Sequence, residues 1–134
     1  MRKLNVALLI DDDSINNFIN ERLLKKLQIA EQVKVVLNGE EALKYIKARA
    51  SEGTSCPELI LLDINMPVMD GFEFMENYKN LNLSFVSKPV VILLTTSKNT
   101  IDLQRASDVN ISGYLNKPLT NDKVKEVLLK HFSI

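Results

Sequence analysis

Four short stretches hold the residues with most chemistry to offer. LLIDDD drives an apolar run into Asp11, Asp12 and Asp13, and LILLDINMP ends another in Asp63. LLTTS ends a third in Thr95, Thr96 and Ser97, and GYLNKP leads into Lys117 and Pro118. Adjacent aspartates are costly: like charges ~4 Å apart repel by about 1 kcal/mol in water and about 4 kcal/mol at the effective dielectric of a protein surface. A plain turn needs no such cluster, so it asks for a counter-charge. Two or three carboxylates with a backbone carbonyl and waters suit Mg²⁺, which keeps part of its hydration shell. With such a cation nearby, one carboxylate can attack phosphorus while a lysine and a hydroxyl stabilise the equatorial oxygens. Either Asp13 or Ser14 serves as the cap of a following helix.

These residues share a site only if the elements before them end on one rim. Five β-rich apolar runs, Leu4–Ile10, Val33–Leu37, Leu59–Leu62, Val90–Leu94 and Ser112–Leu115, read as strands. The first, third and fourth are nearly continuous Val, Ile and Leu, the pattern of a sheet buried on both faces. Helical spacing fills the gaps. Ile15, Phe18, Ile19 and Leu23 form an apolar stripe over Ser14–Leu27, and Ala42, Leu43 and Ile46 do so within Gly39–Ala50. Asp70 and Glu73 have the spacing of a capping box, opening a helix that carries Phe72, Met75 and Tyr78. A weaker pattern covers Thr100–Val109, and Asn121–Phe132 carries Val124, Val127, Leu128 and His131. Arg49–Glu58 and Asn80–Lys88 read as surface loops. Five β-α units in series predict an α/β fold, a doubly wound five-stranded parallel sheet with right-handed crossovers. Ligands of such sheets bind beyond the carboxyl ends of the strands, where all four stretches would lie.

Composition narrows the function classes. The 134 residues fit one domain over residues 1–134, with no output domain expected. Lys+Arg and Asp+Glu balance at 17 each, which gives no bulk attraction to nucleic acid or membrane. The single cysteine, Cys56, cannot form an internal disulfide, and the only histidine, His131, lies in the last helix. A Cys–His nucleophilic pair is therefore not expected, and the thiol suits a reducing, cytoplasmic setting. No apolar run approaches the ~20 residues that cross a bilayer.

LLIDDD, LLDINMPVMDG, LLTTS, GY and NKP, in this order along nearly the whole chain, resemble the receiver domains of two-component response regulators. The resemblance implies the flavodoxin-like (CheY-like) strand order 2-1-3-4-5. It makes Asp63 the phosphoacceptor, Asp12 a direct Mg²⁺ ligand, Asp11 its partner through water, and the backbone carbonyl of Asn65 a further ligand. Thr95 takes the place of the switch hydroxyl, Lys117 that of the lysine pairing with the phosphoryl group, and Tyr114 that of the aromatic switch. The bond before Pro118 is often cis in this family. The implied donor is a phosphohistidine of a sensor histidine kinase or histidine phosphotransfer protein, docking near the first helix and the loop after the fifth strand. The implied output face is Thr100–Val109, Ser112–Leu115 and Asn121–Phe132, where Leu129 falls off the buried stripe. A protein partner would read it, with the receiver a monomer or a phosphorylation-dependent dimer. Leu119 stands where many relatives have Phe, and Ser97 is a small neutral residue two positions past Thr95.

Two alternatives share some of these residues. A haloacid-dehalogenase-like phosphatase would use Asp11 as nucleophile and Asp13 as general acid. It needs a further acidic motif after its lysine, where only Asp122 and Glu126 follow, and it gives no reason for LLDINMPVMDG. A non-catalytic interaction scaffold of the same fold would have no use for the complete set of acids, hydroxyl and lysine.

Overall fold

The computed structural model describes residues 3–64, 66, 68–81, 83, 88–95 and 111–134. Strands and helices alternate along it: β1 (Leu4–Ile10), α1 (Ser14–Leu27), β2 (Ala30–Val36), α2 (Gly39–Ser51), β3 (Leu59–Asp63), α3 (Gly71–Asn80), β4 (Val90–Thr95), β5 (Gly113–Asn116) and α4 (Asn121–Phe132). The strands form one parallel sheet in the order β2-β1-β3-β4-β5. The Thr100–Val109 helix expected from the sequence lies outside the described residues, as do Asn65, Thr96 and Ser97.

The period-2 alternation of a strand splits the apolar runs between two cores. Leu8, Ile10, Ile60, Leu62, Val91 and Leu93 face one side, packed with Ala42 and Ile46 of α2 and Phe72, Phe74 and Met75 of α3. Ala7, Leu9, Leu59, Leu61, Ile92 and Leu94 face the other, with Leu24 of α1 and Val124, Val127 and Leu128 of α4. Leu119, the departure from Phe, is buried in this second core. Side chains pack on both faces of β1, β3 and β4, which is why these three strands read as unbroken Val/Ile/Leu.

Element ends differ from the sequence reading in instructive ways. β2 begins at Ala30, where Leu4 pairs with it, and stops before Leu37, which is exposed. Glu31 and Gln32 lie on this edge strand facing solvent, so they gave no apolar signal. β5 is shifted one residue, to Gly113–Asn116, because Asn116 pairs with Thr95. β3 and β4 extend through Asp63 and Thr95 themselves.

The larger correction concerns α1. Three of its four apolar stripe residues do not face the sheet, Ile15 being 70%, Phe18 65% and Ile19 54% exposed, while Leu23 packs against the second core. The buried face is instead Asn17, Asn20 and Leu24. The Asn17 side-chain amide donates to the Asp11 carbonyl oxygen at 2.8 Å, so a polar anchor sets the rotation of the helix.

Candidate functional site

The rim is built by strand ends whose register is fixed by pairing. Ile10 lies opposite Leu62, Asp63 opposite Leu94, and Thr95 opposite Asn116. The residues that follow each strand therefore emerge side by side. Asp11, Asp63 and Thr95 are buried there, while Asp12 is exposed.

The three consecutive aspartates divide their labour. Asp13 is the cap of α1, its carboxylate accepting from the backbone N–H of Ile15 at 2.9 Å and of Asn16 at 3.2 Å. Asp11 is held through both backbone and side chain: its N–H donates to Val36 O at 3.2 Å, and its Oδ1 accepts from Asp13 N–H at 2.9 Å. Asp11 and Asp12 are thereby free of capping duty. Together with Asp63 they place three carboxylate oxygens within 4.8 Å of one another.

Lys117 supplies the counter-charge. Its Nζ lies 3.1 Å from Asp63 Oδ1 and 3.4 Å from Asp11 Oδ2. Its backbone N–H donates to Thr95 O at 2.8 Å, tying the loop after β5 to the end of β4. Partial burial pulls this ammonium down, but the hydrogen bond and charge of Asp63, joined by Asp11, outweigh it and hold its pKa above the ordinary lysine value.

On the opposite wall, the β3–α3 connection closes against the phosphoacceptor candidate. Gly71 N–H donates to Ile64 O at 3.0 Å, and a Cβ on Gly71 would stand 2.7 Å from the Asp63 carbonyl oxygen. Only glycine permits that approach. The Asp70–Glu73 capping box forms as expected, with both reciprocal bonds present. Tyr114 of β5 pairs with Leu93 of β4 and is about half exposed, with Leu129 of α4 also exposed. The Lys117–Pro118 peptide is cis.

Hard oxygen donors in this number fit a small divalent cation such as Mg²⁺. Asp11, Asp12 and Asp63 are the side chains able to hold it, and the expected carbonyl of Asn65 lies outside the described residues. The sequence reading missed Asn17, whose amide bonds the Asp11 backbone. A signal existed: Asn17, Asn20 and Leu24 recur at helical spacing, but a polar pair does not register on an apolar count.

Comparison with known proteins decides the family. The family model described as the response regulator receiver domain matches residues 7–129. The chain belongs to that family. The receiver is 30% identical over 123 residues to a probable methanogenesis regulatory protein, FilR2, of Methanothrix harundinacea, covering 92% of this chain and 78% of the relative. It is 32% identical over 125 residues to hybrid signal transduction histidine kinase E of Dictyostelium discoideum, of which it spans only 7%. A crystal structure of a two-component response regulator from Cytophaga hutchinsonii superposes with a TM-score of 0.87 at 30% identity, covering 99% of this chain and all of that one. The receiver is therefore a module of two-component signalling with a five-stranded CheY-like sheet. No helix among the described residues is long and apolar enough to cross a membrane.

Proposed function

We propose that this receiver accepts a phosphoryl group on Asp63 from a phosphohistidine of a sensor histidine kinase or histidine phosphotransfer protein. The observation that carries the reading is the Lys117 ammonium bridging Asp63 and Asp11 beside a third carboxylate, Asp12. An Asp63 oxygen attacks phosphorus as the phosphorus–nitrogen bond breaks, the bonding electrons returning to the imidazole ring. Lys117, already at Asp63, follows the charge onto the new phosphoryl oxygens, and the Thr95 hydroxyl approaches another. A cation bound by Asp11, Asp12 and Asp63 supplies neutralisation of charge on the transferring group. The product is an acyl phosphate, and the receiver catalyses only its own phosphorylation and dephosphorylation.

In this reading the donor docks over α1, whose exposed Ile15, Phe18 and Ile19 give an apolar landing beside the acids. Tyr114 and Leu129 mark the output face, where inward rotation of Tyr114 shifts the population toward a form bound by a downstream protein, in a cytoplasmic setting. The phosphatase alternative is less well supported, because Asp13, its general acid, already serves as the cap of α1, with Oδ1 accepting from two backbone N–H groups.

The test is intact mass after incubation with acetyl phosphate, with and without Mg²⁺, for the native protein and Asp63→Asn. A Mg²⁺-dependent gain of one phosphoryl group, absent in Asp63→Asn, is the expected result. Labelling that survives in Asp63→Asn and disappears in Asp11→Asn would overturn it in favour of the phosphatase.

A further inference from the structure

The loop that presents Lys117 has an anchor of its own. Lys123, in the first turn of α4, donates from its ammonium to Asn116 O at 2.7 Å and to Pro118 O at 3.0 Å. These are the two carbonyls on either side of Lys117. Its backbone N–H meanwhile donates to the Thr120 hydroxyl that caps the helix, at 3.3 Å. A cation is badly placed in a first helical turn, where the macrodipole is already positive. Two carbonyl dipoles facing the ammonium offset that penalty, so its position is explained by the loop rather than by the helix.

The reacting end of Lys117 sits at the tip of a four-carbon stem, and its distances to Asp63 and Asp11 depend on where its backbone is held. The Lys117 N–H bond to Thr95 O fixes one side of the peptide chain. Pro118 has no N–H to add another. We propose that Lys123 is a positioning residue for phosphoryl transfer, clamping the carbonyls flanking Lys117 so that the Lys117 ammonium is held against Asp63. This rests on the receiver reading above for its consequence, though not for the clamp itself. Small misplacements of a positioned group cost rate steeply, which gives the clamp its leverage.

The experiment combines amide hydrogen exchange with acetyl phosphate labelling on the full chain. The variants are Lys123→Ala, Lys123→Arg, Lys117→Ala, the double variant, and Lys125→Ala as a charge-matched control on exposed α4 surface. Lys123→Ala should speed exchange of the Lys117 amide by about tenfold, leaving the Leu93 amide inside β4 unchanged. Its maximal labelling rate should fall about tenfold with little change in the half-saturating acetyl phosphate concentration. Lys123→Arg should restore most of both, and Lys125→Ala should alter neither. In the Lys117→Ala background, Lys123→Ala should slow labelling no further, because the effect runs through Lys117. Unchanged Lys117 exchange, or rate losses that multiply in the double variant, would overturn the proposal. If the native protein takes no label, the phosphoacceptor reading of Asp63 fails and Lys117 exchange alone decides for or against the clamp.

Discussion

At the scale of single residues, this receiver concentrates unusual chemistry at the rim and tolerates strain beside it. Val68, on the β3–α3 connection, has φ of +69°, a left-handed conformation that a β-branched side chain rarely adopts. It is 89% exposed, so no packing repays that strain. Val68→Gly should therefore stabilise the fold by about 1 kcal/mol, read as a higher urea midpoint with an unchanged slope. Lys117 gives a second prediction with a definite sign. Its pKa is raised by Asp63 and Asp11 against the opposing effect of burial, so the charged form favours the folded state. That contribution is fully present below the unfolded lysine value of about 10.4 and is lost as pH climbs through the raised folded value. The stability difference between the native protein and Lys117→Met should stay level from about pH 7 to 10 and shrink above that.

At the scale of elements, strands were far more legible than helix rotation. β1, β3 and β4 are buried on both faces, so a run of aliphatic residues is all they need. Asp63 and the Thr95–Thr96 pair could be placed at the rim by reading where each run stopped, but the choice of Thr95 over Thr96 came only from the family resemblance. The face of α1 could not, because its strongest apolar stripe looks outward and its anchor is the amide of Asn17. The start of β2 was hidden for a related reason, since Glu31 and Gln32 of that edge strand face water. An outward stripe predicts opposite behaviour for two substitutions on one helix. Phe18→Ser should change the unfolding free energy by no more than about 0.5 kcal/mol, as for ordinary surface changes, while slowing transfer from a phosphohistidine protein and sparing labelling by acetyl phosphate. Asn17→Ala should cost about 1–3 kcal/mol, because it removes the donor to the buried Asp11 carbonyl. Equal stability losses in both variants would return the stripe to the core.

At the scale of the whole molecule, the sheet order brings together residues more than a hundred positions apart, with Lys117 opposite Asp11. Sequence spacing alone could not assign their distances, and the motifs did so only through the family resemblance. The assembled site is electrostatically unbalanced although the chain as a whole is neutral. Three carboxylates face one ammonium: Asp11 and Asp63 share the Lys117 bridge, Asp13 rather than Asp12 caps the helix, and Asp12 is the exposed acid of the group. Without divalent cation, that excess charge works against folding. Asp12→Asn should then raise the unfolding free energy in EDTA at low ionic strength by up to about 1 kcal/mol, read as a higher urea midpoint, and the gain should fade as salt screens the site. Mg²⁺ reverses the ranking. A ligand at 100 times its dissociation constant stabilises the form that binds it by about 2.7 kcal/mol. The native protein should gain that amount on Mg²⁺ titration, whereas Asp12→Asn should gain much less. A native protein indifferent to Mg²⁺, with Asp12→Asn no more stable than native in EDTA, would mean that the acidic rim is neither repulsive nor a cation site.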